Sequence, residues 1–173
     1  PLIDSLDASV EETEFTVDPA TTLVVPFTTL NDGNGADRYD MRVSRVTSLA
    51  SGTEVLWDVD VPRSLLSELL RDDFETIEVR VNVPEQVAAG DYEVVIDVFS
   101  EEAYPDASGR STRLRDSITL SISVNEFHDM RLWLDPFVES DVKTTAPGRI
   151  VRFNLNATNN GNVADRATLH NHT

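Results

Sequence analysis

The residues best placed to do chemistry sit in one glycine-bearing stretch, Asn31-Asp32-Gly33-Asn34-Gly35-Ala36-Asp37. Asp32, Asn34 and Asp37 offer side-chain oxygens at close spacing, and such donors in a tight loop suit a hard cation, with calcium the candidate cofactor. The later bidentate glutamate of an EF-hand loop is missing. The same residue types also build a turn, because glycine tolerates unusual backbone angles and Asn and Asp bond nearby backbone groups. Glu101, Glu102 and Asp106 form a second acidic group, and Glu126 with Asp129 a third; both read as solvated loops, with calcium the competing reading. His170 and His172 would share a strand face, a weak metal pair at a fraying terminus.

Catalytic patterns are missing. The chain has no cysteine, which removes thiol nucleophiles and thiolate metal sites. No nucleophile elbow and no helical His pair is present. Paired carboxylates for glycoside hydrolysis would need a cleft that a small sandwich does not offer. A chain without enzymatic activity is therefore expected. Two N-glycosylation sequons stand near the end, Asn156-Ala157-Thr158 and Asn171-His172-Thr173. Asn156 alternates with Phe153 and Leu155 and so faces outward on a strand.

The elements that would position these residues are strands. Short alternating runs are separated by turn signals. They cover 2–10, 21–30 (Leu23, Val25 and Phe27 inward), 37–47 (Tyr39, Met41, Val43) and 54–61 (Val55, Trp57, Val59, Val61). They continue over 74–83, 91–99 and 113–124, the last with Ile118, Leu120, Ile122 and Val124 inward. Pro26 requires a bulge or an edge, since it has no N–H for a ladder. Residues 64–73 have helical spacing and predict one or two turns of helix. The stretch 100–112 reads as a polar hairpin loop longer than usual. The pattern specifies an all-β two-sheet sandwich.

A repeat organises the chain. Residues 31–38 recur at 159–166, with Asn31, Gly33, Asn34, Ala36, Asp37 and Arg38 matched at an offset of 128. Walking back without gaps gives 12 identities over the 36 positions 6–41, against about two or three for random pairing at average composition. Leu23, Val25 and Phe27 correspond to Val151, Phe153 and Leu155, which keeps the inward parity. Asp32 becomes Asn160, which favours the turn reading over the metal loop. The expected organisation is a tandem Ig-like β-sandwich, with a complete first copy over 1–125 and a truncated second copy over 126–173. The chain is read as a mature or internal segment of something longer.

Two motifs carry a family resemblance. One is N-x-G-N-x-x-D at 31–37 and again at 159–165; the other is Val83-Pro84 followed by Gly90 and Tyr92. In this order they resemble the Ig-like repeats of the alpha-galactosidase-associated and CARDB-like type, found in archaeal and bacterial surface proteins. The resemblance implies spacer, adhesive or surface-layer roles and no activity of the repeat's own. Tyr92 would place its ring in the core and its hydroxyl on backbone, as a corner tyrosine does.

Composition narrows the partners. Net charge is −17, and Lys143 is the only lysine. That balance excludes nucleic acid and disfavours an anionic membrane surface. It fits a protein adapted to salt, or simply an acidic secreted one. No apolar run is long enough to insert in a membrane. The expected location is extracellular or at the cell surface. The expected partners are further copies of the chain in self-assembly, neighbouring domains, or a glycan. The alternative role is an accessory carbohydrate- or protein-binding module of a larger secreted hydrolase, which wants exposed aromatics; Tyr104 and Trp133 are the candidates.

Overall fold

Strand alternation decides which side of each sheet is buried, and here it assembles two sheets around one core. The computed structural model describes residues 5–61, 66–105, 109–134, 142–168 and 170. The chain divides into two units, Pro1–Asn125 and Glu126–Thr173.

In the first unit a four-stranded sheet has the order β1 (Leu6–Val10), β3 (Thr22–Asn31), β7 (Phe74–Asn82), β6 (Asp58–Asp60). A five-stranded sheet has the order β2 (Glu14–Val17), β9 (Ser111–Val124), β8 (Gly90–Pro105), β4 (Tyr39–Ser48), β5 (Thr53–Glu54). All pairs are antiparallel except β2 with β9. The inner faces meet in a core that includes Val25, Phe27, Val79 and Val81 from one sheet and Met41, Val94, Ile96 and Leu120 from the other. This is an all-β, Ig-like sandwich, as the alternation requires.

Pro26 takes the edge solution. The β1 ladder ends at Val10 opposite Phe27, so Pro26 lies where β3 has a partner on its β7 side alone. In β4 the register shifts between Val43 and Arg45. Ser44 is the extra residue, and the inward set passes from Tyr39 and Met41 to Val46.

Four expectations change. The first strand ends at Val10 as expected, but an unforeseen β2 follows it on the other sheet, so the chain switches sheets within three residues. The run 54–61 is not one strand. β5 joins one sheet and β6 the other, and the crossing between them leaves Leu56 fully exposed and Trp57 tilted against Tyr92 at 4.7 Å between ring centroids. The helical spacing over 64–73 forms no helix among its described residues 66–73. Leu66 donates its N–H to Tyr39 O and Leu69 exchanges two backbone bonds with Asp37, so long-range pairing takes the donors a helix would use. Finally, the hairpin expected at 100–112 has a shorter loop, because β8 and β9 run on into it, with Ala103 opposite Arg113 and Pro105 opposite Ser111.

The second unit contains β10 (Met130–Leu134) paired antiparallel with β11 (Leu155–Asn159). Val151 and Phe153, expected in a strand, precede β11.

Candidate functional site

In the glycine-bearing stretch at the end of β3, the side chain of Asn31 closes the turn. Asn31 is buried, and its Nδ2 donates to Gly35 O (2.8 Å) and Leu69 O (2.9 Å), while its Oδ1 accepts from Gly33 N–H (3.0 Å). Its backbone adds bonds from Asn31 N–H to Asp73 O and from Asp72 N–H to Asn31 O. One side chain therefore closes its own turn and ties it to the 66–73 segment.

The sequence-chosen residues differ in exposure. Asp32 and Asn34 are exposed, whereas Asp37 is buried. Asp37 Oδ1 accepts from Arg38 N–H at 2.7 Å, and its Oδ2 is buried with no protein partner. Among the described residues no group of three or more His, Cys, Asp or Glu side chains is gathered to hold a metal.

The same turn is built again. Asn159 Nδ2 donates to Val163 O at 2.6 Å, and Gly161 N–H donates to Asn159 Oδ1 at 2.9 Å. Each bond lies at the 128 offset from its first-unit counterpart. Here the turn lies against the chain entering β10. Asn162 N–H donates to Phe127 O (2.9 Å), and Phe127 N–H returns a bond to Asn162 Oδ1 (2.6 Å). His128 Nδ1 sits 2.9 Å from Asp165 Oδ1, and the bond to Asp165, its charge and a weaker contribution from Glu126 together raise the His128 pKa despite slight desolvation.

Pairing corrects the gapless alignment at one point. Asn31 faces Leu6, but Asn159 faces Met130 rather than Leu134. Met130, Leu132 and Leu134 therefore hold the places of Leu6, Ala8 and Val10, at an offset of 124 over this strand. The identity of Leu6 with Leu134 is out of structural register; Asp135, Val138 and Glu139 lie outside the described residues. What recurs in three dimensions is the turn and the strand that enters it.

A charged group missed in the sequence lies on the outer face of the five-stranded sheet. Asp97, buried on β8, receives both oxygens' bonds from Arg115 Nη2 (2.9 Å each) and one from Ser117 Oγ (2.7 Å). Burial alone would raise its pKa, but the bonds from Ser117, Arg115 and Ser44 and the Arg115 charge outweigh it and hold the carboxyl below its ordinary value. Asp40 is bonded by Arg42, and Arg113 and Arg115 stand over the Phe99 ring at 5.5 and 5.7 Å. The signal was Asp97 standing between Ile96 and Val98, opposite Ser117 in the ladder.

Tyr92 matches its expected role, with its ring buried and its hydroxyl donating to Ala88 O at 2.8 Å. Gly90, at φ +134°, begins the strand that carries it. Asn156 is exposed on β11 opposite Trp133, whose ring lies 5.9 Å from the Arg131 guanidinium. Glu101, Glu102, Glu126 and Asp129 are exposed, as is His170. Asp106, Asn171, His172 and the side chain of Tyr104 lie outside the description.

No protein-family model matches the sequence, and no curated protein matches it. Solved structures are similar in fold. The PapD-like domain 7 of human CEP192 is 15% identical, over 68% of this chain and 84% of that one, with a TM-score of 0.44. The class 5 fimbriae chaperone CfaA is 8% identical over 91% of this chain and 68% of that one, with a TM-score of 0.44. A family 123 glycoside hydrolase from Clostridium perfringens is 10% identical over 69% of this chain and 27% of that one, with a TM-score of 0.48. These likenesses concern the Ig-like sandwich and nothing further.

Proposed function

We propose that the chain is a non-catalytic structural repeat of an extracellular protein of the cell-surface, S-layer or filament kind, built from Ig-like units of the alpha-galactosidase-associated and CARDB-like type. The observation that carries this reading is the twice-built asparagine turn. Its two hydrogen bonds recur at the same offset, and in both places the asparagine side chain closes on the backbone two and four residues on. A motif kept for geometry rather than for an open chemical group serves a scaffold. The acidic surface adds to this, since like charge keeps units apart until salt screens it. Electron microscopy of the full-length protein in high salt tests the reading. Ordered arrays or filaments with a repeat of one sandwich length are expected, and dispersed single molecules under those conditions would overturn it.

A further inference from the structure

We propose that Asn156 carries an N-linked glycan whose first sugar packs on Trp133. The two faces of the β10–β11 pair differ in chemistry. Met130, Leu132, Leu134, Leu155 and Ala157 line one face, where the cross-strand partners are Met130 with Asn159, Leu132 with Ala157 and Leu134 with Leu155. Arg131, Trp133, Asn156 and Thr158 line the other, with Trp133 directly opposite Asn156 and Arg131 opposite Thr158. The sequon's asparagine and hydroxyl therefore share a face, as residues two apart on a strand must, and both are exposed.

The first unit shows which face stays outside in a complete sheet. At the 128 offset Asn156 corresponds to Thr28. Thr28 lies opposite Ser9 on β1 and Thr76 on β7, on the face away from the core residues Phe27 and Thr29. Its hydroxyl meets that of Thr76 at 2.9 Å in an exposed bond. A glycan at Asn156 would thus project from the solvent side and leave the apolar face free to be covered.

Trp133 gives the sugar a surface. Directly opposed residues have Cβ atoms about 5 Å apart, so the first sugar linked to Asn156 Nδ2 passes over the indole. Trp133 is 37% exposed. An aromatic plane set among polar neighbours suits the C–H face of a sugar. The Arg131 guanidinium, 5.9 Å over the ring from its centroid, supplies N–H donors for the acetamido carbonyl and hydroxyls.

The inference rests on the extracellular reading, because glycosylation needs the secretory route. Its test supplies that route, so failure here is separate from failure of assembly. The 173-residue chain is secreted from an N-glycosylating host beside a reference sequon protein of known occupancy, then analysed by intact mass and glycopeptide mapping. Modification at Asn156 is expected, lost in Asn156→Gln and in Thr158→Ala. Proton spectra should show the first sugar's resonances shifted upfield relative to the glycopeptide cleaved from the same protein. Trp133→Ala should remove that shift, and Trp133→Phe, which keeps an aromatic plane and the strand, should retain part of it. An unmodified Asn156 beside a modified reference overturns the proposal, as does a modified Asn156 whose sugar resonances match those of the free glycopeptide.

Discussion

Asn31 and Asn159 are the same residue in the same turn, yet they are expected to differ in energetic weight. Asn31 is buried and bonds Gly35 O, Leu69 O and Gly33 N–H, whereas Asn159 is exposed and, among the described residues, makes the two local bonds. Truncating a buried polar group strands its partners away from water, at about 1–3 kcal/mol per unsatisfied group, whereas stranded groups near the surface find water. Asn31→Ala should therefore cost about 3 kcal/mol in urea unfolding, and Asn159→Ala about 1 kcal/mol or less. Equal losses would show that the turn, not its tie to Leu69, carries the energy. The motif was legible in the sequence, but its operative atom was not. The oxygens of Asp32, Asn34 and Asp37 stand out in the composition; burial and backbone direction made Asn31 the residue that ties the turn to Leu69. Asp97 adds a pH dependence. Its folded pKa lies below the unfolded value of about 3.9, so its stabilisation is present above that value and is lost as pH falls through the folded pKa. Asp97→Ala should lower stability by about 1–3 kcal/mol at pH 7, with the gap from the parent narrowing in acid. A gap that stays constant down to the acid transition would assign the loss to packing.

At the level of elements, most long strands were readable because they alternate against a single buried face. β3, β7 and β9 hold their parity along their cores, whereas β8 is buried on both faces from Val94 to Val98 and was readable from its apolar run instead. The misreadings fall where the chain changes sheets. Residues 54–61 alternate well enough for one strand, but β5 and β6 belong to opposite sheets, and period-2 alternation says nothing about which sheet receives a side chain. Residues 66–73 carry helical spacing because Leu66 and Leu69 both turn into the core, and two buried leucines three apart need no helix when their N–H groups bond Tyr39 and Asp37. The second unit shows a further limit. Gapless identities suggested Leu134 for Leu6, while pairing selects Met130, because ladder partners rather than letter matches set a strand's place. Gly161 fixes that place. A Cβ there would collide with Phe127 O and lie 2.9 Å from Asp129 N, both backbone atoms that cannot swing aside. Gly161→Ala should therefore break the bonds from Asn160 and Asn162 N–H to Asp129 O and Phe127 O. Hydrogen exchange at those two amides should quicken at least about tenfold, a local loss of about 1.4 kcal/mol, with β3 and β8 amides unchanged. Unaltered protection at Asn162 would contradict the close approach.

For the whole molecule the deciding quantity is charge. A net −17 leaves most carboxylates without a cation, since 31 acidic groups face 14 basic ones. Two opposing effects respond to salt. Repulsion among exposed carboxylates weakens as the Debye length falls from about 10 Å at 0.1 M to about 3 Å at 1 M, which favours the compact state. Ion pairs weaken too, but the exposed ones, such as Arg38 with Glu68 at 3.9 Å and Arg80 with Glu78 at 3.7 Å, are of a kind worth about 0–1 kcal/mol each. The pair best placed to resist screening, Arg115 with Asp97, has its carboxylate buried. Screened repulsion should therefore dominate. Raising KCl from 0.1 to 2 M is expected to stabilise the first unit by about 1 kcal/mol or more, a rise in Tm of roughly 3–6 °C. Circular dichroism melts across that range measure it. A neutral osmolyte at matched water activity separates screening from solute exclusion, which also stabilises compact states. A Tm that falls with KCl would mean that ion pairs outweigh repulsion, and the acidic surface would then have to be explained by its partners rather than by salt.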